Sequence, residues 1–204
     1  MRKSIAVLSA VLVLGACQSS PETSDSEEPN TEQAEVAEEM DLSDYEKRGG
    51  QIAKAAFLEL SGNLKAAMKE GGPAHAVDFC NVHALELTDK VADSLGVEIR
   101  RTSVKNRNPN NAPRDYELAA LETFETTWAE GKEPRGYARE VDGKVRYFQP
   151  IMMQPACLNC HGEQGGDINE STWQIINEKY PDDRAYGYAL NEIRGMWSIT
   201  FKEK

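Results

Sequence analysis

Histidine and cysteine are both scarce in this chain, three and four among 204 residues. A structural zinc site takes four such ligands, and no second Cys-x-x-Cys pair accompanies the one at Cys157 and Cys160, which disfavours that chemistry. Long apolar runs are missing as well. The stretch from Ile5 to Leu14 is too short to cross a bilayer. No basic stripe is present of the kind that tracks a nucleic-acid backbone, so nucleic acid is not an expected partner. Basic residues are absent altogether from Gln18 to Glu46, where eleven acidic residues gather among Ser, Pro and Thr. Such a composition reads as a self-repelling, disordered tether. The formal net charge of -11 comes largely from it, since Lys47–Lys204 holds 21 basic and 23 acidic residues.

What is present centres on Cys157-Leu158-Asn159-Cys160-His161, followed by Gly162. Two cysteines at this spacing with a histidine directly after them form the attachment signature of c-type haem. Each thiol adds to one vinyl group of the porphyrin, and the histidine is placed to be the proximal iron ligand. A Cys-x-x-Cys redox pair and half of a zinc site are the rival readings. One covalent haem c is the expected cofactor, with Cys157, Cys160 and His161 in its site.

The N-terminus agrees with that reading independently. Arg2 and Lys3 precede the apolar run, which closes on Leu14-Gly15-Ala16-Cys17. This pattern is a lipoprotein signal, with Cys17 as the lipidated first residue of the mature chain; an ordinary secretory signal is the alternative. Either implies export, and covalent haem attachment in bacteria takes place outside the cytoplasmic membrane. Gln18 after Cys17 resembles lipoproteins sorted to the outer membrane, facing the periplasm. The expected divisions are a signal peptide over 1–17, a tether over 18–43 and a haem-binding domain over 44–204. With Cys17 assigned to lipid and Cys157 and Cys160 to haem, Cys80 is left with no disulfide partner in an oxidising compartment.

Within the domain, Ile52, Ala55, Ala56, Leu58, Ala66 and Ala67 recur on or near one helical face until Gly71-Gly72-Pro73 interrupts. A second helix follows to Ser94, with Val77, Cys80, Ala84, Leu87 and Val91 on its apolar side. Val97 to Val104 reads as a strand, and Lys105 to Pro113 as an irregular loop rich in Asn and Pro. Arg114 to Gly131 returns to helix, with Leu118, Leu121, Phe124 and Trp128 as core candidates. Asp142-Gly143 joins a hairpin that feeds into the haem motif. A short helix over Ser171 to Tyr180 precedes a closing pair of strands, Ala185 to Leu190 and Met196 to Phe201. The expected class is α+β, an antiparallel sheet with long N-terminal helices packed to one side.

Five candidates stand out for the sixth iron ligand: Cys80, His83, His75, the Met152/Met153 pair and Met196. Cys80 and His83 lie three apart and share a helix face. The spacing alone leaves the choice open. The run from Cys80 to Ala84, then Arg100/Arg101-Thr102-Ser103, Arg107-Asn108-Pro109 with Asn111, Cys157 to Gly162, and Tyr180-Pro181 through Asp183, Ala185 and Gly187-Tyr188 to Gly195 occur together and in this order. That set resembles a family of exported c-type haem domains with a PAS-like fold. The resemblance covers roughly Asp44 to Lys204 and implies that the iron is held by His161 and Cys80. It also places the Arg107 loop beside the haem, where Arg107 is the first choice to pair with a propionate; a purely structural loop is the alternative.

A thiolate ligand favours ferric iron and a low potential. The expected function is therefore a membrane-anchored redox sensor, with gas sensing as an added reading and an unidentified redox or signalling protein as partner. A lipid-anchored electron-transfer cytochrome is the alternative. A peroxidase-like enzyme, with His83 as distal base, is a minor third reading, and no catalytic residue is assigned.

Overall fold

Gly71, Gly72 and Pro73 divide the first helical stretch as their chemistry requires. The structure, a computed structural model, describes residues 40–202. In it α1 (Ser43–Leu95) is two helical arms meeting at Gly71 (φ -144°, ψ 17°) and Gly72 (φ 73°, ψ -168°). The Gly72 conformation is essentially restricted to glycine. Pro73 starts the second arm where its missing N–H costs nothing. Gly96 ends α1 in the left-handed region, its N–H on the Ala92 and Asp93 carbonyls. The signal peptide, Cys17 and nearly all of the expected tether lie outside the described residues.

Four strands form one antiparallel sheet in the order β1-β4-β3-β2: β1 (Val97–Thr102), β2 (Tyr137–Val141), β3 (Lys144–Met152) and β4 (Ile193–Phe201). The α+β class and antiparallel sheet are as expected. Asp142 (φ 53°) and Gly143 (φ 71°) make the tight turn between β2 and β3, with both central residues left-handed as a type I′ turn needs.

Helices cover both faces of this sheet, which corrects the one-sided packing expected from sequence. Side chains alternate along a strand, so adjacent residues meet different helices. Ile52, Ala53 and Ala56 of α1 pack with Tyr147, Trp197, Ile199 and Phe201. Ala120, Leu121 and Phe124 of α2 (Asp115–Ala129) pack with Phe148, Ile193 and Met196. The physical reason lies in β4, which is buried continuously from Gly195 to Phe201; a strand buried on both faces needs cover on both.

Two further expectations are corrected. Trp128 is 38% exposed, because the apolar cluster under α2 reaches only to Phe124. Ala185 to Leu190 is not a strand. Only Ala185 and Tyr188 of this segment are buried, three apart rather than in alternation, and its backbone bonds to a loop and a helix end rather than a strand. In α1, Ala55, Leu58 and Ala66 face solvent, while Ala53 is buried in their stead.

Candidate functional site

β3 runs directly into the short helix α3 (Pro155–His161). Pro155 opens the helix, and Cys157 and Cys160, three apart, fall on one side of it. The segment after α4 (Glu170–Lys179) folds back over the helix end. Gly187 N donates to Gly162 O at 2.7 Å and Tyr188 N to His161 O at 3.0 Å. These are the bonds that take the place of the expected strand pairing.

The same segment sets the histidine. His161 Nδ1 lies 2.7 Å from the Ala185 carbonyl. A carbonyl only accepts, so Nδ1 carries the proton and the Nε2 lone pair remains available, an arrangement typical of metal-binding histidines. Burial first, then the nearby Arg194 and Arg107, hold its pKa well below the ordinary histidine value. His161 is therefore neutral, the form in which imidazole ligates a metal.

Arg107 clamps the motif. Its Nη2 donates to Cys160 O at 2.6 Å, to Asp183 Oδ2 at 3.0 Å and to Ala185 O at 3.3 Å. Asp183 Oδ1 in turn accepts from Ala185 N at 2.8 Å. Around it the asparagines serve the backbone. Asn106 Nδ2 donates to Asn108 O, Asn106 Oδ1 accepts from Arg184, and Asn108 Oδ1 accepts from Asn110 N. Both sequence readings of this loop thus meet a partial answer: its Asn side chains are structural, and the Arg107 Nη2 is committed to protein acceptors.

α1, the sheet face beneath it and α3 enclose a cavity of about 530 Å³, within the range of cofactor sites. Cys80, Cys157, Cys160 and His161 all line it, as do Phe57, Leu64, Met68 and Trp197. Burial raises the Cys80 thiol pKa, opposed by the charges of Arg101 and Arg107. Burial likewise pushes Cys160 up to about 11, so neither thiol is ionised at neutral pH without a partner.

The cavity separates the ligand candidates. Cys80 and Met152 line it. Met196 is wholly buried on the opposite sheet face, under α2, and Met153 is also buried outside the lining. His83 stands beside Glu86 and His75 beside Glu70, each at 3.6 Å, and both imidazoles are half-exposed. Neither histidine lines the cavity. Among the described residues no group of three or more His, Cys, Asp and Glu side chains is placed to hold a metal ion, so the zinc reading gains no further ligands.

Arg194 was not singled out from sequence, and Arg101 stood only within the Arg100/Arg101-Thr102-Ser103 run, with no role assigned. Both line the cavity, and the Nε atoms of Arg101, Arg107 and Arg194 are buried without a hydrogen-bond partner. Arg101 had a legible signal. It is next in the i, i+2 series after Val97 and Ile99, a cation in line with two core residues. Arg194 had none, because it sits at an irregularity where β4 shifts register against β3. Gly195 beside it (φ 154°) allows the Thr102 carbonyl to approach where a Cβ would collide.

The donor set suits a covalently held haem: two cysteines at the attachment spacing, a neutral histidine with a free Nε2, a second potential ligand in Cys80, and orphaned cationic nitrogens in an apolar cavity. Residues 15–202 match the family described as Tll0287-like. The solved structure of the cyanobacterial heme-protein Tll0287 is similar at 26% identity and a TM-score of 0.61, over 79% of this chain and 97% of that one. No curated protein matches. The chain belongs to the Tll0287-like family.

Proposed function

We propose that this protein carries one haem c in the cavity, bonded to Cys157 and Cys160 and ligated by His161 and Cys80, and that it acts as an exported, lipid-anchored redox sensor. The observation that carries the reading is that one cavity gathers all four residues from two separate elements, α1 and α3. The solved relative is itself a heme-protein, which supports the cofactor.

Haem bound there would supply a one-electron ferric/ferrous couple. The chain's own residues supply the rest. Ala185 fixes the tautomer and orientation of His161, and Arg107 with Asp183 fixes the backbone that presents it. Phe57, Leu64 and Met68 line the cavity with apolar surface. Cys80 is under opposed influences, burial favouring the thiol and Arg101 the thiolate. It stands on the arm of α1 beyond the Gly71–Gly72 break, so a change at its sulfur can be passed to that arm. This is the basis for sensing. His83, the distal base that peroxidase-like chemistry would need, lies outside the cavity lining, which argues for a redox and binding protein over a catalyst.

The test is ferric electron paramagnetic resonance of the full chain beside Cys80→Ala. A narrow low-spin thiolate signal that disappears in the variant is expected. An unchanged spectrum would remove Cys80 from the iron, make Met152 the ligand to examine and favour the electron-carrier reading.

A further inference from the structure

We infer that Arg101 and Arg194, rather than Arg107, receive the two carboxylates of the bound tetrapyrrole. The inference rests on the reading that the cavity holds a haem. Its charged lining is Lys65, Arg101, Arg107 and Arg194, with no Asp or Glu. A buried cation without a counter-charge is costly, because it gives up its hydration with nothing in return, so a ligand bringing negative charge is the natural complement.

The three arginines are not equivalent. Arg107 already has its acid, Asp183, at 3.0 Å, with the side chains 11% and 3% exposed. Arg101 and Arg194 have no carboxylate partner among the described residues. Arg194 donates only through Nη1, to the Lys105 carbonyl at 3.2 Å. The Arg101 side chain makes no hydrogen bond among those residues, and its guanidinium lies over the Trp197 ring at 5.8 Å. Both keep a buried, unused Nε, and a guanidinium offers a carboxylate two parallel N–H groups. Burial lowers the Arg194 pKa, Tyr188 opposes it, and the nearby charges of Arg107 and Arg101 add to the lowering.

The test uses the full-length Cys157→Ala/Cys160→Ala chain, in which porphyrin binding is an equilibrium. It is titrated with ferric protoporphyrin IX and with its dimethyl ester, followed by Soret absorbance. Added to that background, Arg101→Gln and Arg194→Gln should each weaken the diacid about ten- to a hundredfold, as loss of a charged hydrogen bond does, and leave the ester unchanged. Arg107→Gln should weaken both porphyrins alike, because it holds Cys160 and Asp183. Equal losses for acid and ester with Arg101→Gln or Arg194→Gln, or no loss, would overturn the assignment.

The holoprotein gives a second readout that does not depend on the alanine background. Arg101→Gln and Arg194→Gln should each raise, by about 1 to 3 units, the pH at which the midpoint potential becomes pH-dependent, because a carboxylate loses its neighbouring cation. An unmoved profile overturns the assignment. A wild-type chain purified without a haemochrome band removes the reading of the cavity itself, and the assignment with it.

Discussion

At the scale of single residues, the buried Arg107–Asp183 pair ties the loop after β1 to the segment that orients His161. Asp183 neutralises Arg107 and caps the turn that presents the Ala185 carbonyl to His161. Asp183→Asn would leave Arg107 without its acid beside Arg101 and Arg194. The expected loss is about 3 to 5 kcal/mol, the range for breaking a buried pair, read from denaturant unfolding. A loss below about 1 kcal/mol, the range of surface pairs, would show that the pair is no more than a surface contact. Much at this scale was legible. The Cys-x-x-Cys-His motif stood out by its spacing, and its three side chains line one cavity. Met196 as a ligand was a misdirection, because sequence distance from His161 says nothing about which sheet face a residue takes. The face is decided by register, and Met196 pairs with Thr102 and Pro150 on the side covered by α2.

At the scale of elements, the α1 break was readable because Gly-Gly-Pro leaves few alternatives, and so was the Asp142-Gly143 turn. Gly72→Ala forces a side chain into a conformation reserved for glycine, at a cost of about 1 to 3 kcal/mol. Gly62→Ala, in the first arm with open space around the added methyl, should instead gain about 0.5 to 1 kcal/mol from helix propensity. Thermal or denaturant melts of the two variants check the contrast; equal effects would mean that Gly72 is not strained by substitution. The segment 185–190 was illegible for a physical reason. A strand and a loop laid across a helix end can be built from the same apolar and aromatic residues, and which of them are buried, here Ala185 and Tyr188, shows only once the chain is folded. Only the bonding partners distinguish them, here His161 and Gly162 rather than a neighbouring strand.

At the scale of the whole molecule, the folded unit begins close to where composition changes. Leu42 and Tyr45 already pack against the core, and Glu46 Oε1 accepts from Ala138 N at 3.3 Å. Deleting residues 18–39 should therefore leave the Soret band and the unfolding midpoint as they are, while a deletion reaching Glu46 lowers the midpoint. A shifted Soret band in the shorter deletion would contradict the tether reading. The strand order carries one more consequence. β4 comes last along the chain but lies between β1 and β3 in the sheet. Arg101 is on β1, the attachment motif follows β3, and Trp197 and Arg194 are on the strand that joins the two. Pairings this distant in sequence form late. Among the described strands β4 is made last, so the sheet face of the cavity closes after α3 and its cysteine pair have formed, and the haem attachment proposed above would have that interval.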